Sequence, residues 1–410
     1  MWHHTSTPIK LLFVHECFGA LAGAEGNILA TAQGLQGLGH VAGILHGPST
    51  RNQEARWEDT FLLRYPLGEP ADAEHVREVV DAFQPDVIYV HKMRDLKVLK
   101  ALFASEVPMV RMVHDHDLYC MRSYKYNYFT RRICERRASL FCVVPCGAFV
   151  ARNPGGRMPL KWVSYVAKRD ELRWNKQFDR LVVATRFMKE ELLRNGFACD
   201  RIEIHPPVPD AQGPEPLSTL SERNLIIYAG QIVRGKGVDL LLEALAQVQT
   251  PFECLIFGDG NHRQYCEQRS RELGLAGRVH FQGHVPRAVI GRYYAECSVS
   301  VVSSVWPEPF GAVGLEAMRY GVPVVAFDAG GIKEWLIHGH NGYLVPWRDC
   351  TAFGERIDEL LHDKSRARRL GENGRKLVSD GYSFSNYIDD LEDLFLRVAR
   401  PAPRPTVSAC

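Results

Sequence analysis

The sequence lacks any apolar run of the roughly 18–20 residues that a membrane-spanning helix needs. The longest candidate, residues 140–151, is interrupted by Pro145 and Gly147. A signal-peptide pattern is also missing, because the basic Lys10 is followed by a run of only four apolar residues, 11–14. These absences predict a cytoplasmic protein, peripheral at most to the inner face of a membrane.

The sequence also lacks an excess of one charge. Its 50 Lys and Arg nearly balance 48 Asp and Glu, which leaves a net charge of +2 over 410 residues. A chain-wide polyelectrolyte role is excluded on that ground, and no nucleic-acid-binding motif is present, so we expect no nucleic acid partner. Hydrophobic residues make up 46% and charged residues 24% of the chain, the ordinary globular mixture. At about 150 residues per domain, the length predicts two to three domains.

Paired metal-binding spacings are missing among the 11 cysteines. An odd number of cysteines without a secretory signal favours reduced thiols. Two interpretations of the densest stretch stay open: a structural zinc site, and a loop that uses cysteine as a small apolar residue. The four cysteines of that stretch, separated by 13, 7 and 3 residues, are Cys120, Cys134, Cys142 and Cys146.

What the sequence does contain is a repeated pattern of strand, glycine turn and helix. An apolar strand at 9–15 is followed by a turn with Gly19, Gly23 and Gly26 and by a helix at 27–38. Apolar runs that do not alternate predict buried parallel strands covered by helices on both faces. Further strands of this half are predicted at 86–91, 108–114 and 180–184, with a helix at 187–195.

The same pattern restarts after a proline-rich segment. Residues 206–222 hold five prolines and show no periodicity, which is typical of a linker. Beyond it, apolar positions spaced by three and four residues predict a helix at 238–248. The predicted strands of this half are 225–229, 254–257, 279–282, 298–303 and 322–327.

Together these elements predict an α/β protein with two Rossmann-like, doubly wound domains that face a central cleft. We place the domains at 1–205 and 223–382, with 206–222 as the linker. A helical pattern at 383–398 predicts a C-terminal helix, within 383–400, that packs back on the first domain.

The glycine-rich loop at 230–237 nearly matches a nucleotide-binding P-loop. Its sequence GQIVRGKG fits the pattern GxxxxGK[ST], except that Gly237 stands where a Ser or Thr would bind Mg²⁺. An NTPase with this loop would lack a metal ligand, which argues against that class. Backbone N–H groups at a helix N-terminus beside Lys236 still predict a phosphate-binding site.

Two glutamates in the segment 304–316, SVWPEPFGAVGLE, are the most informative residues. Pro309 disfavours helix at Glu308, so we expect the helix to start near Phe310. Glu308 then lies at the carboxyl edge of the sheet, where open α/β sheets bind ligands. Glu316 lies about two turns into the helix, about 9 Å along its axis. This arrangement suits an elongated polar ligand with a phosphate at the helix N-terminus; solvated surface carboxylates are the alternative.

The sequence EPFGAVGLE resembles the E-x7-E motif of retaining GT-B glycosyltransferases of family 4, also called glycosyl transferases group 1. GQIVRGKGVDLLLEAL is similar to the phosphate loop of that family, and FGDGNHRQYCEQRSRELGLAGRVHFQGHVP to the strand, helix and strand that follow. FDAGGIKEWLIHGHNGYLV is similar to the segment after E-x7-E. The resemblance is near-continuous from about 225 to 346 and is looser in the first half, where Gly23, Ala24, Glu25 and His114 carry it.

The resemblance implies a role for each matching residue. Glu316 would bind the ribose hydroxyls of a nucleotide sugar, and Glu308 would bind hydroxyls of the transferred sugar. Lys236 would neutralise the diphosphate leaving group. Further implied donor-site positions are the backbones of Phe310, Gly311, Gly235 and Gly23, the nucleobase contacts Gly258 and Val285, and His114 near the reacting carbon. A satisfied core histidine is the alternative for His114.

The sequence departs from the family pattern at Gln231, where the family usually has an arginine. Gln231 donates hydrogen bonds but carries no charge, and Arg234 is a candidate replacement. Without a replacement, the leaving group is less stabilised. The resemblance implies no obligatory metal or cofactor. The extended sequence at 115–117, Asp-His-Asp, alternates between faces and does not predict a single metal site.

A basic, aromatic segment at 121–176 predicts the acceptor side. It holds 13 Lys and Arg against three Asp and Glu, a net charge of +10, so the rest of the chain carries −8. Such a segment suits a lipid-linked, saccharide or otherwise anionic acceptor and peripheral contact with a membrane. A solvated basic face over a small aromatic core is the alternative.

The resemblance implies a retaining, metal-independent glycosyltransferase of the hexosyltransferase type. A UDP- or GDP-sugar would be the donor, and cell-surface polysaccharide or glycolipid assembly the setting. Two other classes stay open. One is a protein of this fold that binds nucleotide sugars without transferring them, and the other is another GT-B enzyme such as a nucleotide-sugar epimerase or a phosphorylase. A phosphorylase would need a pyridoxal phosphate lysine site, which the sequence does not identify.

Overall fold

Two parallel β-sheets follow one another along the chain, each flanked by helices. The computed structural model describes residues 7–19, 23–127, 130–144, 146–152, 160–209 and 215–399. Both sheets have the predicted alternation of strand and helix, so the α/β fold class with two Rossmann-like units is confirmed. The first sheet with its helices is called the N-terminal lobe below, and the second the C-terminal lobe.

In the described parts of the chain, the N-terminal lobe is built on seven parallel strands, and a short antiparallel pair lies outside its sheet. The strands in chain order are β1 (Lys10–His15), β2 (Val41–His46), β3 (Leu63–Pro66), β4 (Val87–Val90), β5 (Met109–Val113), β6 (Val150–Arg152), β7 (Leu160–Trp162), β8 (Arg180–Val183) and β9 (Ile202–Ile204). The order across the sheet is β3-β2-β1-β4-β5-β8-β9, and β6 pairs with β7.

Helices cover both faces of this sheet, which buries β4 and β5 along their whole length. The helices are α1 (Gly23–Gly37), α2 (Glu54–Thr60), α3 (Ala73–Phe83), α4 (Leu96–Phe103), α5 (Tyr165–Asn175) and α6 (Arg186–Arg194). Side chains of Asp72, Asp95, Ser164 and Thr185 accept hydrogen bonds at helix N-termini, the usual helix-start signal. The sequence patterns do not predict β2, β3 or β9, because these strands are short or interrupted by glycine and charged residues.

Among the described residues, six parallel strands form the sheet of the C-terminal lobe in the order β12-β11-β10-β13-β14-β15, where the labels follow the chain. They are β10 (Leu225–Ala229), β11 (Glu253–Phe257), β12 (Val279–Gly283), β13 (Val299–Val302), β14 (Val324–Phe327) and β15 (Gly342–Val345). The helices are α7 (Val238–Leu245), α8 (Arg263–Glu272), α9 (Arg287–Tyr294), α10 (Ala312–Arg319), α11 (Cys350–His362) and α12 (Lys364–Gly381).

The last helix, α13 (Phe384–Ala399), packs on the N-terminal lobe. Its apolar side chains, among them Leu391, join the core cluster of Ile28 and Leu29 of α1. The Tyr387 hydroxyl also accepts a hydrogen bond from Nδ2 of Asn27 at 3.0 Å. None of the described helices combines the length and the apolarity that crossing a membrane requires.

The proline-rich segment contains no helix or strand in its described parts, 206–209 and 215–222. Its second part lies on the C-terminal lobe. The backbone N–H of Ser218 donates a hydrogen bond to the carbonyl oxygen of Tyr320 at 2.7 Å, and its hydroxyl donates one to the carbonyl oxygen of Cys297 at 2.6 Å. The Leu220 side chain is buried in the core of that lobe. The chain therefore changes lobes before residue 218.

Candidate active site

A buried carboxylate, Glu308, lies in the loop between β13 and α10. Its Oε1 accepts hydrogen bonds from Nζ of Lys236 at 2.6 Å and from Nε1 of Trp306 at 2.8 Å. The hydroxyl of Ser304 donates to the same oxygen. The backbone of Glu308 forms a bridge with Gly330, which comes after β14. Three donors thus hold one carboxylate oxygen at the carboxyl edge of the sheet, where the sequence predicts it.

The hydrogen bonds to Glu308 decide its charge. Burial by itself raises the pKa of this carboxyl, but the charge and hydrogen bond of Lys236 and the donors Ser304 and Trp306 outweigh it. The net pKa lies below the ordinary value of a glutamate. Glu308 is therefore ionised at neutral pH, able to accept hydrogen bonds from hydroxyl groups and unsuited to donate a proton.

Lys236 is held by a tight glycine loop against the indole of Trp306. Its Nζ lies 5.1 Å from the ring centroid, and a Cβ at Gly235 would lie 2.6 Å from the ring. Gly237 has a φ of 66°, and a Cβ there would approach the carbonyl oxygen of Ser303 to 2.1 Å. Glycine at 237 therefore serves close packing, and the hydroxyl side chain of a P-loop has no room there.

The N-terminus of α10 forms a site suited to an anion. The helix begins at Ala312, two residues later than predicted, because Gly311 has a φ of 80° and lies outside the helix. In the described part of the chain, the N–H groups of Phe310 and Gly311 have no hydrogen-bond acceptor. They precede the positive end of the helix dipole, which favours an anion such as a phosphate.

Glu316 lies on the second turn of α10, closer to its start than predicted because the helix begins later. Its side chain is 19% exposed, and its Oε1 lies 3.1 Å from the guanidinium of Arg287 in α9. That contact lacks hydrogen-bond geometry, and Oε1 has no hydrogen-bond donor among the described residues. The carboxylate therefore keeps its capacity to accept two hydroxyl hydrogen bonds.

Gln231 and Arg234 lie in the loop that leads to Lys236. Gln231 is exposed, and its backbone carbonyl accepts a hydrogen bond from the Tyr228 hydroxyl at 2.9 Å. The carbonyl of Arg234 accepts one from the guanidinium of Arg131 at 3.2 Å. Both residues thus belong to the loop that carries Lys236.

The two predicted nucleobase contacts differ in what they can offer. Gly258 donates its N–H to the carbonyl of Gly283 at 2.7 Å, so a nucleobase contact at this residue is left to its carbonyl oxygen. A Cβ there would lie 1.9 Å from the carbonyl oxygen of Gly230, so this position requires glycine. Val285 is half-buried and packs on the core of the C-terminal lobe.

Four histidines follow or end adjacent strands of the N-terminal lobe at its carboxyl edge: His46, His15, His91 and His114. Nδ1 of His91 and Nε2 of His114 share a hydrogen bond of 2.9 Å, which leaves Nδ1 of His114 as its second polar atom. Burial, followed by the charge of Lys92, holds the pKa of His114 well below its ordinary value. His114 is therefore a neutral, half-buried imidazole on the N-terminal side of the cleft.

Gly23 is the first residue of α1 and is exposed. The turn before it, 20–22, lies outside the described residues. Two residues on, the buried Glu25 brings its Oε1 to 3.8 Å from Nε2 of His15. The β1–α1 turn therefore lies beside the row of histidines, but no described contact joins Gly23 to Glu308.

His116 is a site residue that sequence reasoning missed. Its Nε2 lies 2.8 Å from the backbone carbonyl of Pro307, the neighbour of Glu308. Its Nδ1 lies 2.7 Å from the hydroxyl of Tyr119. The local signal for it is the Asp-His-Asp sequence at 115–117, which predicts neither a single metal site nor a contact between the lobes.

Two further contacts between the lobes frame the site. The carboxylate of Glu334 accepts hydrogen bonds from the N–H groups of Arg186 and Phe187, both at 2.8 Å, and so caps α6 from the opposite lobe. The hydroxyl of Thr185 donates to the carbonyl of Pro309 at 2.8 Å. The lobes are thus joined on both sides of Glu308 in sequence.

The first part of the basic segment 121–176 packs against the C-terminal lobe, beside the loop that carries Lys236. Tyr124 stacks on Trp306 with ring centroids 5.1 Å apart. The guanidinium of Arg131 binds both carboxylate oxygens of Asp239, at 2.6 and 3.0 Å. Tyr126 lies in the core cluster of the C-terminal lobe. Part of the segment predicted to face the acceptor therefore packs against the C-terminal lobe instead.

The described residues give the zinc interpretation of the four cysteines no support. No group of three or more His, Cys, Asp and Glu side chains among the described residues has a metal-binding arrangement. All four thiols are free. Burial raises the pKa of the Cys120 thiol, and its Sγ accepts a hydrogen bond from the N–H of Lys125 at 3.4 Å. Small, partly buried thiols are therefore the better description.

Comparisons with known families identify the chain. The family model described as "Glycosyl transferases group 1" matches residues 214–377 of the chain, and the model described as "Glycosyltransferase Family 4" matches residues 21–212. The chain belongs to the group 1, family 4 glycosyltransferases. The first match covers the part of the chain that carries Lys236, Glu308 and Glu316, and the second covers His114 and His116.

Curated relatives match the chain over part of their length. The chain is 29% identical over 245 residues to a D-inositol 3-phosphate glycosyltransferase of Xylanimonas cellulosilytica, over 55% of this chain and 58% of the relative. It is 31% identical over 187 residues to the lipopolysaccharide core biosynthesis glycosyltransferase LpsE of Rhizobium meliloti, over 46% and 53%. The chain spans about half the length of the curated relatives it matches.

Solved structures share the fold over nearly the whole chain. A crystal structure of Anabaena HepE in complex with UDP and glucose superposes with a TM-score of 0.73, at 20% identity, over 95% of this chain and 99% of the other. A glycosyltransferase from Rickettsia africae superposes with a TM-score of 0.70 at 15% identity, over 97% and 100%. These likenesses identify the GT-B fold.

Proposed function

We propose that this protein transfers a sugar from a nucleotide-sugar donor to an acceptor hydroxyl, with retention of the anomeric configuration and without an obligatory metal. The observation that carries the proposal is the arrangement of two carboxylates around a helix N-terminus. Glu308 is bound to Lys236 before α10, Glu316 lies on α10, and the unbonded N–H groups lie between them. A sugar, a diphosphate and a ribose fit these three features in that order.

In the proposed reaction the bond between the anomeric carbon and the phosphate oxygen breaks, and its electron pair stays on the diphosphate. Lys236 and the N–H groups of Phe310 and Gly311 stabilise that charge. The acceptor hydroxyl oxygen bonds to the anomeric carbon on the face that the diphosphate leaves, and its proton passes to the departing phosphate oxygen. Glu308, ionised, accepts hydrogen bonds from the sugar hydroxyls, and Glu316 accepts them from the ribose.

We further propose Gln231, Arg234, Gly235 and Gly23 as phosphate or sugar contacts, and Gly258 and Val285 as nucleobase contacts. His114 is proposed as the contact from the N-terminal lobe to the donor sugar, because its Nδ1 is the ring nitrogen that His91 does not occupy. Its lowered pKa favours a neutral ring, which accepts or donates one hydrogen bond without adding charge to the site.

The donor nucleotide is proposed to be UDP or GDP. Anabaena HepE has been solved in complex with UDP and glucose, and a mycobacterial relative is named as GDP-mannose-dependent. The acceptor is proposed to be a lipid-linked, saccharide or other anionic molecule of cell-surface polysaccharide or glycolipid assembly. Support comes from the +10 charge of residues 121–176 and from a relative named for lipopolysaccharide core biosynthesis.

We also propose the predicted domain bounds, 1–205, 206–222 and 223–382, with 383–400 returning to the first domain. The two separate sheets and the packing of α13 on α1 support these bounds. A cytoplasmic location, peripheral to the inner face of a membrane, is proposed with the anionic acceptor.

A thermal-shift panel of UDP-, GDP-, ADP- and dTDP-linked sugars tests the donor proposal. A ligand at 100 times its dissociation constant adds about 2.7 kcal/mol of stability. We expect a stabilisation with one nucleotide class that falls to about half in Glu316→Gln, as a tenfold weaker affinity requires. It should be kept in Glu267→Gln, a matched change of a surface glutamate that pairs with Arg263. No shift with any nucleotide sugar contradicts donor binding. A shift without release of free nucleotide, with acceptor present, favours a binding protein instead.

A further inference from the structure

A cavity of about 690 Å³ lies in the N-terminal lobe between α5, the loop 137–139 and the end of α6. Helix α5 precedes β8, so it runs from the carboxyl edge of the sheet to the amino edge. Helix α6 follows β8 and runs the same way, which places Lys176 and Asn195 at the amino edge. The cleft with Glu308 lies at the opposite, carboxyl edge. The cavity therefore extends along α5 from Tyr165 to the amino edge, and in the described part of the chain none of its lining residues contacts Glu308.

Four cationic side chains line this cavity, and none of its lining residues is acidic. Arg169, Arg173 and Lys176 recur at spacings of four and three residues, so they share one face of α5 or its end. Arg137 faces them from the loop. The loop is held in place by Asn195, whose Oδ1 accepts a hydrogen bond from the N–H of Ala138 at 2.9 Å.

The four cations of the cavity have no ionic partner among the described residues, unlike three basic residues elsewhere in 121–176. Other basic side chains are used internally: Lys125 pairs with Glu191 at 2.8 Å, Arg131 with Asp239 at 2.6 Å, and Lys168 with Glu171 at 2.7 Å. By contrast, no hydrogen bond or ion pair joins the side chains of Arg137, Arg169, Arg173 or Lys176 to any part of the chain that is described.

We propose that this cavity binds the phosphate group of a multiply charged ligand. Like charges around one cavity repel each other, and an anion between them removes that repulsion. Guanidinium groups match phosphate oxygens with two parallel hydrogen bonds. The hydroxyls of Ser139 and Tyr165, which also line the cavity, supply further donors. The proposal does not depend on the donor chemistry at Glu308.

A phosphate can reach this cavity as a free anion or as a lipid headgroup. Exposed apolar side chains adjoin the lining residues in sequence: Leu140, next to Ser139, is 70% exposed and Val166, next to Tyr165, is 58% exposed. Trp162 is 81% exposed. Apolar side chains beside cations are typical of surfaces that bind anionic bilayers, so both sources enter the test.

The test compares Arg169→Gln/Arg173→Gln with the matched control Arg77→Gln/Arg271→Gln, which removes the same charge from exposed sites on α3 and α8. All proteins in this test also carry Lys236→Gln, so that the loop 230–237 does not add a second anion site. One arm titrates inorganic pyrophosphate by calorimetry. The other sediments the protein with vesicles of equal parts phosphatidylglycerol and phosphatidylcholine, against phosphatidylcholine alone.

We expect pyrophosphate or the anionic vesicles to bind, and the cavity variant to lose at least about tenfold in affinity while the control keeps it. Binding of pyrophosphate indicates a soluble phosphate ligand, and binding of the vesicles alone indicates a lipid headgroup. Binding to neither, or equal binding by the two variants, overturns the proposal. Circular dichroism of each variant checks folding, and the donor thermal shift, repeated without Lys236→Gln, keeps this result separate from the donor proposal.

Discussion

Nε2 of His116, in the N-terminal lobe, donates a hydrogen bond to the carbonyl oxygen of Pro307, 2.8 Å away in the C-terminal lobe. A carbonyl oxygen only accepts, so the proton of His116 lies on Nε2, and its Nδ1 accepts from the hydroxyl of Tyr119 at 2.7 Å. The bond joins the two lobes at the residue before Glu308. Opening of the cleft along this side must therefore break it.

The protonation of His116 makes stability depend on pH. Burial lowers its pKa from 6.5 to about 4, although the hydrogen bond to Pro307 works in the opposite direction. Between these values the unfolded chain binds more protons than the folded one, so the free energy of unfolding falls as pH falls from 6.5 to about 4. Above 6.5 this group contributes no pH dependence.

Denaturant unfolding at a series of pH values checks this in the wild type and in His116→Gln. The glutamine keeps a donor for the Pro307 carbonyl but does not titrate. We expect a shallower loss of stability in the variant, while His91 and His114, whose pKa values burial also lowers, act alike in both proteins. Equal slopes would contradict a buried, neutral His116.

Glu308→Gln tests the charge at the centre of the site. The change keeps the size of the side chain and removes the anion that pairs with Lys236 and accepts sugar hydroxyls. We expect the rate of transfer to fall by about 10²–10³, the scale for loss of one preorganised polar contact, with the fold retained. Turnover and melting temperature are measured together, with Glu267→Gln as the matched control. Transfer at the wild-type rate would remove Glu308 from the mechanism.

Glu316→Gln tests ribose binding. Since this carboxylate is proposed to bind a part of the donor that does not react, its loss weakens ground state and transition state alike. We expect the donor KM to rise about tenfold, which corresponds to about 1.4 kcal/mol of binding free energy. We expect kcat to stay within about twofold of the wild-type value. Arg287→Gln is the control, because it removes the guanidinium 3.1 Å from Oε1 without removing the acceptor. A fall in kcat at unchanged KM would argue against this role.

Gly258→Ala tests the close approach of two loops. Its φ is 133°, and a Cβ there would lie 1.9 Å from the carbonyl oxygen of Gly230, which is backbone and does not swing away. We expect a loss of about 1–3 kcal/mol in the free energy of unfolding, the scale of an overpacked site. Gly277→Ala is the matched control, since nothing lies within 4 Å of a Cβ at that position. Equal stability of the two variants would show that the loops are not in contact.

Glu334→Ala tests the cap that joins the lobes. Its carboxylate accepts the N–H groups of Arg186 and Phe187 at the N-terminus of α6, where a negative charge is stabilising. Without this carboxylate we expect a larger fraction of molecules to have an open cleft. Small-angle X-ray scattering would show this as a larger radius of gyration. Glu272→Ala, at an exposed helix end, should leave the radius of gyration unchanged. Superposable scattering curves for Glu334→Ala and wild type would mean that other contacts hold the cleft shut.

The sequence patterns predict the elements whose signal is local. The strand at 225–229 agrees with β10 at both ends, and α13 is displaced by one residue at each end. The later start of α10 was missed, because it depends on the left-handed backbone of Gly311 rather than on the proline before it. The strands β2, β3, β9 and β15 and the β6–β7 pair are not predicted from the sequence patterns, because each is short or contains glycine, proline or charged residues.

By itself, the sequence determined the two-lobed α/β order and the residues on which the proposed chemistry rests, because glycine turns, apolar runs and the E-x7-E spacing lie within single segments. The tertiary structure alone decided which groups meet. Glu308 and Lys236 are separated by 72 positions, and His116 and Pro307 by 191. Their charge states depend on burial and on partners that only the packing of strands and lobes brings into contact.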